Sequence, residues 1–312
     1  MFIEQAFRGK TDFWRYLIGS LIIAIVASIG QLPLLFAVLL KSGFDPMALQ
    51  ADRLMQTLDK NSTTFFILIS FAIGFIGLWL ALKFLHEINL KTITTTRKKV
   101  DWKRVLLGFS LVGIFTSVSV LVSYQMTPEN YIWNFKPDKF LILFVMAIVL
   151  VPIQTSLEEF IFRGYLMQGF GVLAKNRWFP LIMTSLIFGL LHIANPEVGK
   201  MGYSILIFYI GTGLFLGIIT LMDEGTELAL GFHAANNLIA ILLVTADWTA
   251  FQSESVLIDI ADPTVTWDTF LPLIILYPIY FIIMAKVYKW KNWKEKLTGK
   301  IQVPVPEQNP SI

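Results

Sequence analysis

Three polar clusters interrupt the long apolar runs of this sequence. Their ionisable and amide side chains are Glu158, Glu159, Arg163, His192, His233 and Asn237. Carboxylate, imidazole and amide groups can together activate a water molecule and stabilise an oxyanion, so the set predicts hydrolysis of an amide or an ester. The 312 residues include no cysteine, which excludes a thiolate nucleophile, a disulfide framework and a cysteine-ligated metal.

Helical spacing gives the two adjacent carboxylates different roles. Residues four apart share one face of a helix, so Glu159 can pair with Arg163 and should stay ionised. This pair can also serve as structural glue between helices. Glu158 points about 100° away around the helix. Burial beside a like charge favours its neutral form, which suits a general base that takes a proton from water and returns it to a leaving amine.

The histidines and Asn237 supply the remaining groups of such a site. One imidazole can orient or share the water proton, and the other can join Asn237 where oxyanion charge develops; His233 lies on the helix face of Asn237. We expect no cofactor. Zinc stays an alternative, because Glu158, His192 and His233 match the ligand count of a zinc site with an open position for water. His86 is expected to be an ordinary loop residue.

These clusters must lie in a membrane, because the composition excludes a soluble domain. Hydrophobic residues make up 55% of the chain and charged residues 15%, whereas soluble domains carry about 25% charged residues. The predicted fold is an all-α polytopic membrane bundle of about eight transmembrane helices with a polar intramembrane site. Apolar runs of spanning length lie at 16–40, 64–82, 105–123, 140–168, 179–194, 202–222, 228–246 and 269–285.

The basic residues sort to one side of this bundle. Of the 25 Lys and Arg residues, 18 lie on the side that would carry both termini, six lie opposite, and Arg163 lies within a span. Both termini are therefore expected to be cytoplasmic. The expected membrane is the plasma membrane of a bacterium. A net charge of +3 does not favour a nucleic-acid partner. The expected partners are the lipid bilayer and a peptide or membrane-protein substrate.

Two segments outside the spans are expected to be exposed to solvent. The acidic stretch 223–227 should form a solvated turn between two helices. The proline-containing segment 303–312 should form a disordered tail.

The polar clusters resemble the three motifs of a known family. The motifs are Glu158-Glu159-x-x-x-Arg163, Phe188-x-x-x-His192 and His233-x-x-x-Asn237. In this order, on three successive polar helices, they resemble the CPBP family, which comprises CAAX prenyl proteases and bacteriocin-processing enzymes and is also called the Abi family. The resemblance covers about 140–246 and implies an intramembrane glutamic endopeptidase.

The resemblance also implies a role for each motif residue. It implies water activation by Glu158 and His192, an oxyanion hole of His233 and Asn237, and support from Glu159 and Arg163. We accordingly divide the chain into a three-helix scaffold at 1–139, a catalytic core at 140–246, an outer acidic loop with the last helix at 247–290, and a basic cytoplasmic tail at 291–312.

Two other function classes fit a polar membrane bundle. A non-catalytic scaffold or immunity protein could share the fold, although its motifs need not be intact as they are here. A proton-coupled transporter could use Glu158 and the histidines as a relay, but the chain has no obvious repeated half. Motifs of other intramembrane proteases are absent from the sequence: His86-Glu87-Ile88-Asn89-Leu90 lacks the second histidine of a zinc helix, and Gly-x-Ser-x-Gly does not occur.

Reporter fusions test the predicted topology. Fusions after Lys99 and Lys300 should report the cytoplasmic side, and fusions after Lys60 and Asn130 the opposite side, because the basic residues sort in that way. The measurement is the activity of paired phosphatase and fluorescent-protein fusions. An external signal at Lys99 would contradict the count of eight spans.

Overall fold

The computed structural model describes residues 1–304, without the side chains of residues 51 and 52. The helices are α1 (Phe13–Lys41), α2 (Ala51–Thr57), α3 (Lys60–Leu80), α4 (Leu90–Thr94), α5 (Trp102–Met126), α6 (Pro137–Glu159), α7 (Met167–Ala174), α8 (Trp178–Leu190), α9 (Pro196–Met201), α10 (Leu206–Asp223), α11 (Glu227–Leu243), α12 (Tyr277–Val287) and α13 (Trp293–Thr298). Three π-helical segments extend these helices, at Ala81–His86 after α3, Phe160–Leu166 between α6 and α7, and Pro272–Leu276 before α12.

The chain is a multi-pass, all-α membrane bundle, as the sequence predicts. Within residues 1–304, six helices are long and apolar enough to cross a bilayer. The other two predicted spans are the shorter apolar helices α8 and α11, which end at Leu190 and Leu243, before the predicted ends of their runs. These two helices carry the second and third motifs.

A small sheet, which the sequence does not predict, joins the loops that follow α5 and α11. Strand β3 (Leu257–Asp259) pairs antiparallel with β1 (Tyr131–Trp133) and parallel with β2 (Val244–Thr245). The strands are two or three residues long, so hydropathy gives no signal for them. Their backbone hydrogen bonds fasten the loop after α11 to the loop that enters α6.

Helix α11 lies at the centre of the bundle and packs against α5 and α6. Its residues from Glu227 to Ala235 are all buried. Two glycines allow the close approach to α5: a β-carbon at Gly231 would collide with the Val105 carbonyl, and one at Gly108 with the Leu228 carbonyl. Small residues at helix crossings are the usual means of close packing in membranes. The close packing sets the position of the third motif.

The acidic turn at 223–227 is buried, so the expectation of a solvated turn is wrong. Asp223 accepts hydrogen bonds from Arg97 at 2.9 Å and from Arg104 at 2.8 Å. Glu227, also buried, accepts one from Arg97 at 3.0 Å. Arg97 in the loop before α5 and Arg104 in the first turn of α5 thus bring two guanidinium groups to these carboxylates. Compensation of this kind permits the burial of charge, and sequence neighbours alone do not reveal it.

His86 is a buried residue at the end of a helical segment, and not the loop residue that the sequence predicts. The π-helical segment that prolongs α3 ends at this residue and packs it beneath the N-terminal segment. Its Nδ1 lies 2.7 Å from the Lys10 carbonyl oxygen, and its Nε2 lies 2.9 Å from the Tyr165 hydroxyl. His86 therefore links the N-terminus and α3 to the segment between α6 and α7.

The described part of the predicted basic tail at 291–312 is folded back on the bundle. Helix α13 contacts α10 and α8, and Ile301 is buried in a cluster with Ile3 and Leu181. The predicted disordered segment 303–312 lies outside the described residues except for its first two.

Candidate active site

The first motif lies where the long helix from Pro137 to Ala174 changes its winding. Glu158 and Glu159 are the last residues of α6, and the π-helical segment Phe160–Leu166 begins directly after them. Single π-helical turns inside α-helices occur often at functional sites. This turn carries Arg163 and directs it towards α8 and α10.

Glu159 and Arg163 form the ion pair that their spacing predicts. Arg163 Nη1 donates to Glu159 Oε1 at 2.9 Å, and both side chains are almost completely buried, with 1% and 0% exposed. Arg163 Nη2 donates to the Gly213 carbonyl on α10 at 3.3 Å. The guanidinium carbon also lies 4.3 Å from the centre of the Phe188 ring, a cation–π contact. The pair therefore connects α6, α8 and α10.

His233 lies between the two carboxylates of the first motif. Its Nδ1 is 2.7 Å from Glu159 Oε1, and its Nε2 is 3.5 Å from Glu158 Oε2. An ionised carboxylate only accepts hydrogen bonds, so the Nδ1 atom must carry a proton. Glu159 and His233 are 74 positions apart in the sequence. The packing of α11 against α6 brings them together.

Gln154 is a site residue that the sequence reasoning missed. Its Nε2 donates to Glu158 Oε1 at 2.8 Å, and its Oε1 accepts from Asn237 Nδ2 at 3.0 Å. Asn237 is thus connected to Glu158 through this one side chain. The signal was present in the sequence, since Gln154 precedes Glu158 by four residues and shares its helix face.

His192 lies in the turn that follows α8, where it contacts Phe188 of its own motif. Its Nδ1 is 2.7 Å from the Phe188 carbonyl oxygen, one of the last carbonyls of α8 that have no partner within the helix. A carbonyl only accepts, so Nδ1 carries a proton, and the lone pair of a neutral ring is then on Nε2. The ring stacks on Tyr209 at 4.3 Å. Within the described residues, no hydrogen bond joins His192 to Glu158.

The Phe188 ring relates the second motif to the third. Its centre lies 4.8 Å from that of His192 and 6.1 Å from that of His233. Phe188 thus contacts the Arg163 guanidinium and stands beside both histidines. The phenylalanine of this motif therefore has a physical role of its own.

An apolar groove of about 450 Å³ runs beside the site, between α1, the π-helical turn and α8. Its walls include Tyr16, Phe162, Ile187 and Leu191. The Phe162 ring packs edge-on against the ring of Phe188 at 5.2 Å, and Leu191 directly precedes His192. The groove therefore borders the helix that carries the second motif.

The zinc alternative requires Glu158, His192 and His233 to surround one point. Among the residues that the structure describes, no group of three or more His, Asp or Glu side chains is arranged to hold a metal ion. Glu158 and His233 face each other, whereas His192 is held at Phe188 by its Nδ1 atom. The three side chains of the zinc alternative are thus not gathered round one point.

Comparison with known proteins gives a family match over the site. Residues 137–239 match the family model described as type II CAAX prenyl endopeptidase Rce1-like, and this segment contains all three motifs. The uncharacterized protein YyaK of Bacillus subtilis (strain 168) is 28% identical over 290 residues, which cover 92% of this chain and 95% of that protein. No solved structure matches. The family match bears out the predicted resemblance over the segment that carries the three motifs.

Replacement of Arg163 tests the structural role of the buried ion pair. Arg163→Ala should lower the free energy of unfolding by about 3–5 kcal/mol, because it leaves the Glu159 carboxylate buried without its cation. The measurement is thermal unfolding of the purified protein in detergent. Arg53→Ala is the control. Arg53 is exposed and forms a loose surface pair with Asp45 at 3.8 Å, and such pairs contribute about 0–1 kcal/mol to stability. Equal unfolding temperatures for the two variants would contradict the role.

Proposed function

We propose that this chain is an intramembrane endopeptidase of the CAAX prenyl endopeptidase type described as Rce1-like, and that it hydrolyses a peptide bond with a water molecule activated by Glu158. The observation that carries the proposal is the convergence of the first and third motifs. Glu158 is 3.5 Å from His233 and is connected through Gln154 to Asn237. A general base and two potential oxyanion donors therefore share one polar site at membrane depth.

The different exposure of the two carboxylates favours Glu158 as the base. The Glu158 side chain is 18% exposed, whereas that of Glu159 is 0% exposed and is held by Arg163 and His233. Only Glu158 can contact a water molecule without rearrangement. Glu159 supports the site by fixing Arg163 and His233.

The reaction follows the usual course of water-mediated amide hydrolysis. Glu158 takes a proton from water while the water oxygen adds to the carbonyl carbon of the substrate, which forms a tetrahedral intermediate. The carboxylic acid then gives this proton to the amide nitrogen as the carbon–nitrogen bond breaks. The family resemblance assigns His192 to the first step, in which the Nε2 lone pair of its neutral ring would accept a hydrogen bond from the water.

His233 is an oxyanion donor when its Nε2 atom carries a hydrogen, since its Nδ1 atom is already engaged with Glu159. That N–H group would point towards Glu158 at rest. When Glu158 becomes protonated, this N–H group is free to stabilise the oxyanion, together with one amide hydrogen of Asn237.

The apolar groove offers a place for the substrate. An apolar segment of a peptide or membrane protein lying between α1 and α8 would end at Phe162 and Leu191, beside the second motif. The surrounding bilayer supplies such segments directly. The proposal also includes the location: both termini lie in the cytoplasm, and the membrane is the plasma membrane of a bacterium.

Substitution of the base tests the proposed catalysis. Glu158→Gln should preserve the fold and lose cleavage, because an amide cannot take the water proton. Asn237→Ala should lower the rate by about 10²- to 10³-fold, the usual effect of losing one oxyanion donor. The measurement compares protein N-termini in membranes of cells that produce each variant, and an uncut precursor should accumulate.

The control for this experiment is Glu87→Gln, since the Glu87 side chain is 57% exposed and pairs with Lys10 at the surface. It should cleave as the parent protein does. Substantial cleavage by Glu158→Gln would remove Glu158 as the base and favour Glu159.

The proposed reaction uses only the protein's own groups, and metal analysis tests this. Purified protein should contain much less than one zinc per chain, and cleavage of the accumulated precursor should survive chelation, because the donor side chains do not surround one point. Stoichiometric zinc, whose removal abolishes cleavage and whose return restores it, would instead make Glu158, His192 and His233 the ligands.

A further inference from the structure

Gln154 is a buried amide whose two ends are both in use. It lies on α6 one turn before Glu158, with 2% of its surface exposed. A buried primary amide must satisfy both its N–H and its carbonyl groups, or it destabilises the fold. Here both partners belong to the proposed site, on two different helices.

The chemistry of the partners fixes the direction of each hydrogen bond. A carboxylate only accepts, so the Nε2 end of Gln154 must face Glu158, at 2.8 Å. The Oε1 end then faces Asn237, which must donate through Nδ2, at 3.0 Å. Asn237 Oδ1 in turn accepts from Asn236 Nδ2 at 3.1 Å. All the donors in this row point towards Glu158.

This arrangement constrains the base and the oxyanion donor together. The bond from Gln154 holds Oε1 of Glu158, which leaves Oε2 facing His233 and available to the proposed water molecule. Gln154 also accepts a hydrogen bond from one Nδ2 hydrogen of Asn237. This bond fixes the orientation of the Asn237 amide, and therefore the direction of its second Nδ2 hydrogen. Glu158 and Asn237 thus keep a constant relative position although they lie on α6 and α11.

We propose that Gln154 is a positioning residue, which sets the geometry of Glu158 and Asn237 for hydrolysis without contacting the substrate. The proposal rests on the proposed function, since it assigns Gln154 to the same site. Hydrogen bonds to charged groups are strong enough for such a role, and misplacement of a reacting group by about 1 Å can cost on the order of 10²-fold in rate.

Two variants of Gln154 test the proposal with the precursor that accumulates in Glu158→Gln membranes. Gln154→Met keeps the length of the side chain and removes both hydrogen bonds, and kcat should fall by about 10- to 100-fold with KM changed by less than about 3-fold. Gln154→Glu keeps the shape but replaces the donor and adds a like charge, so kcat should fall at least as far. Rates are divided by the folded fraction from size-exclusion chromatography.

The matched control is Gln168→Met. Gln168 is a fully buried amide on the same long helix, and its Nε2 donates to the carbonyl oxygens of Phe2 and Thr92. This variant should unfold at a lower temperature and keep its kcat per folded molecule. The comparison separates the loss of any buried amide from the loss of the amide beside Glu158.

A double-mutant cycle provides a second measurement. If Gln154 acts through Asn237 as well as Glu158, the double variant Gln154→Met with Asn237→Ala should lose less than the product of the two single losses. Wild-type kcat in both Gln154→Met and Gln154→Glu would overturn the positioning role and leave the proposed function intact. Identical N-termini in wild-type and Glu158→Gln membranes would overturn both proposals.

Discussion

The buried carboxylate of Glu159 is the constraint on which the rest of the site depends. A charge at this depth is costly unless it is compensated. Arg163 from the π-helical turn and His233 from α11 both contact the same oxygen of Glu159, at 2.9 Å and 2.7 Å. Arg163 also reaches Gly213 and the Phe188 ring. The helices that carry the three motifs are therefore held together by one compensated charge, and the site forms only when the bundle packs.

The two adjacent carboxylates show how a one-residue step around a helix separates two environments. Glu159 faces the bundle interior and is neutralised there, whereas Glu158 keeps 18% of its side chain exposed. Glu158 is held at one oxygen by Gln154 and faces His233 with the other. This difference in environment is the reason for proposing the first carboxylate as the base and the second as its support.

The shortness of α8 and α11 has a structural consequence. Because α8 ends at Leu190, the chain turns at membrane depth and the Phe188 carbonyl is left to accept the Nδ1–H of His192. Irregular backbone at such a depth is tolerated where it is buried in protein or lines a cavity. The end of this helix therefore places a proton on Nδ1 of His192. Hydropathy predicted this residue only as part of the apolar run at 179–194.

Composition and hydropathy sufficed to predict a membrane bundle, because a bilayer imposes the length and apolarity of each helix directly on the sequence. Spacing sufficed for the pair of Glu159 and Arg163, since both lie on one continuous helix. Contacts between helices were decided only by tertiary packing. The burial of Asp223 depends on Arg97 and Arg104, and the link between Glu158 and Asn237 depends on how α11 crosses α6. Local sequence carries the period of a helix, but the partner across a helix interface is set by the packing of the whole chain.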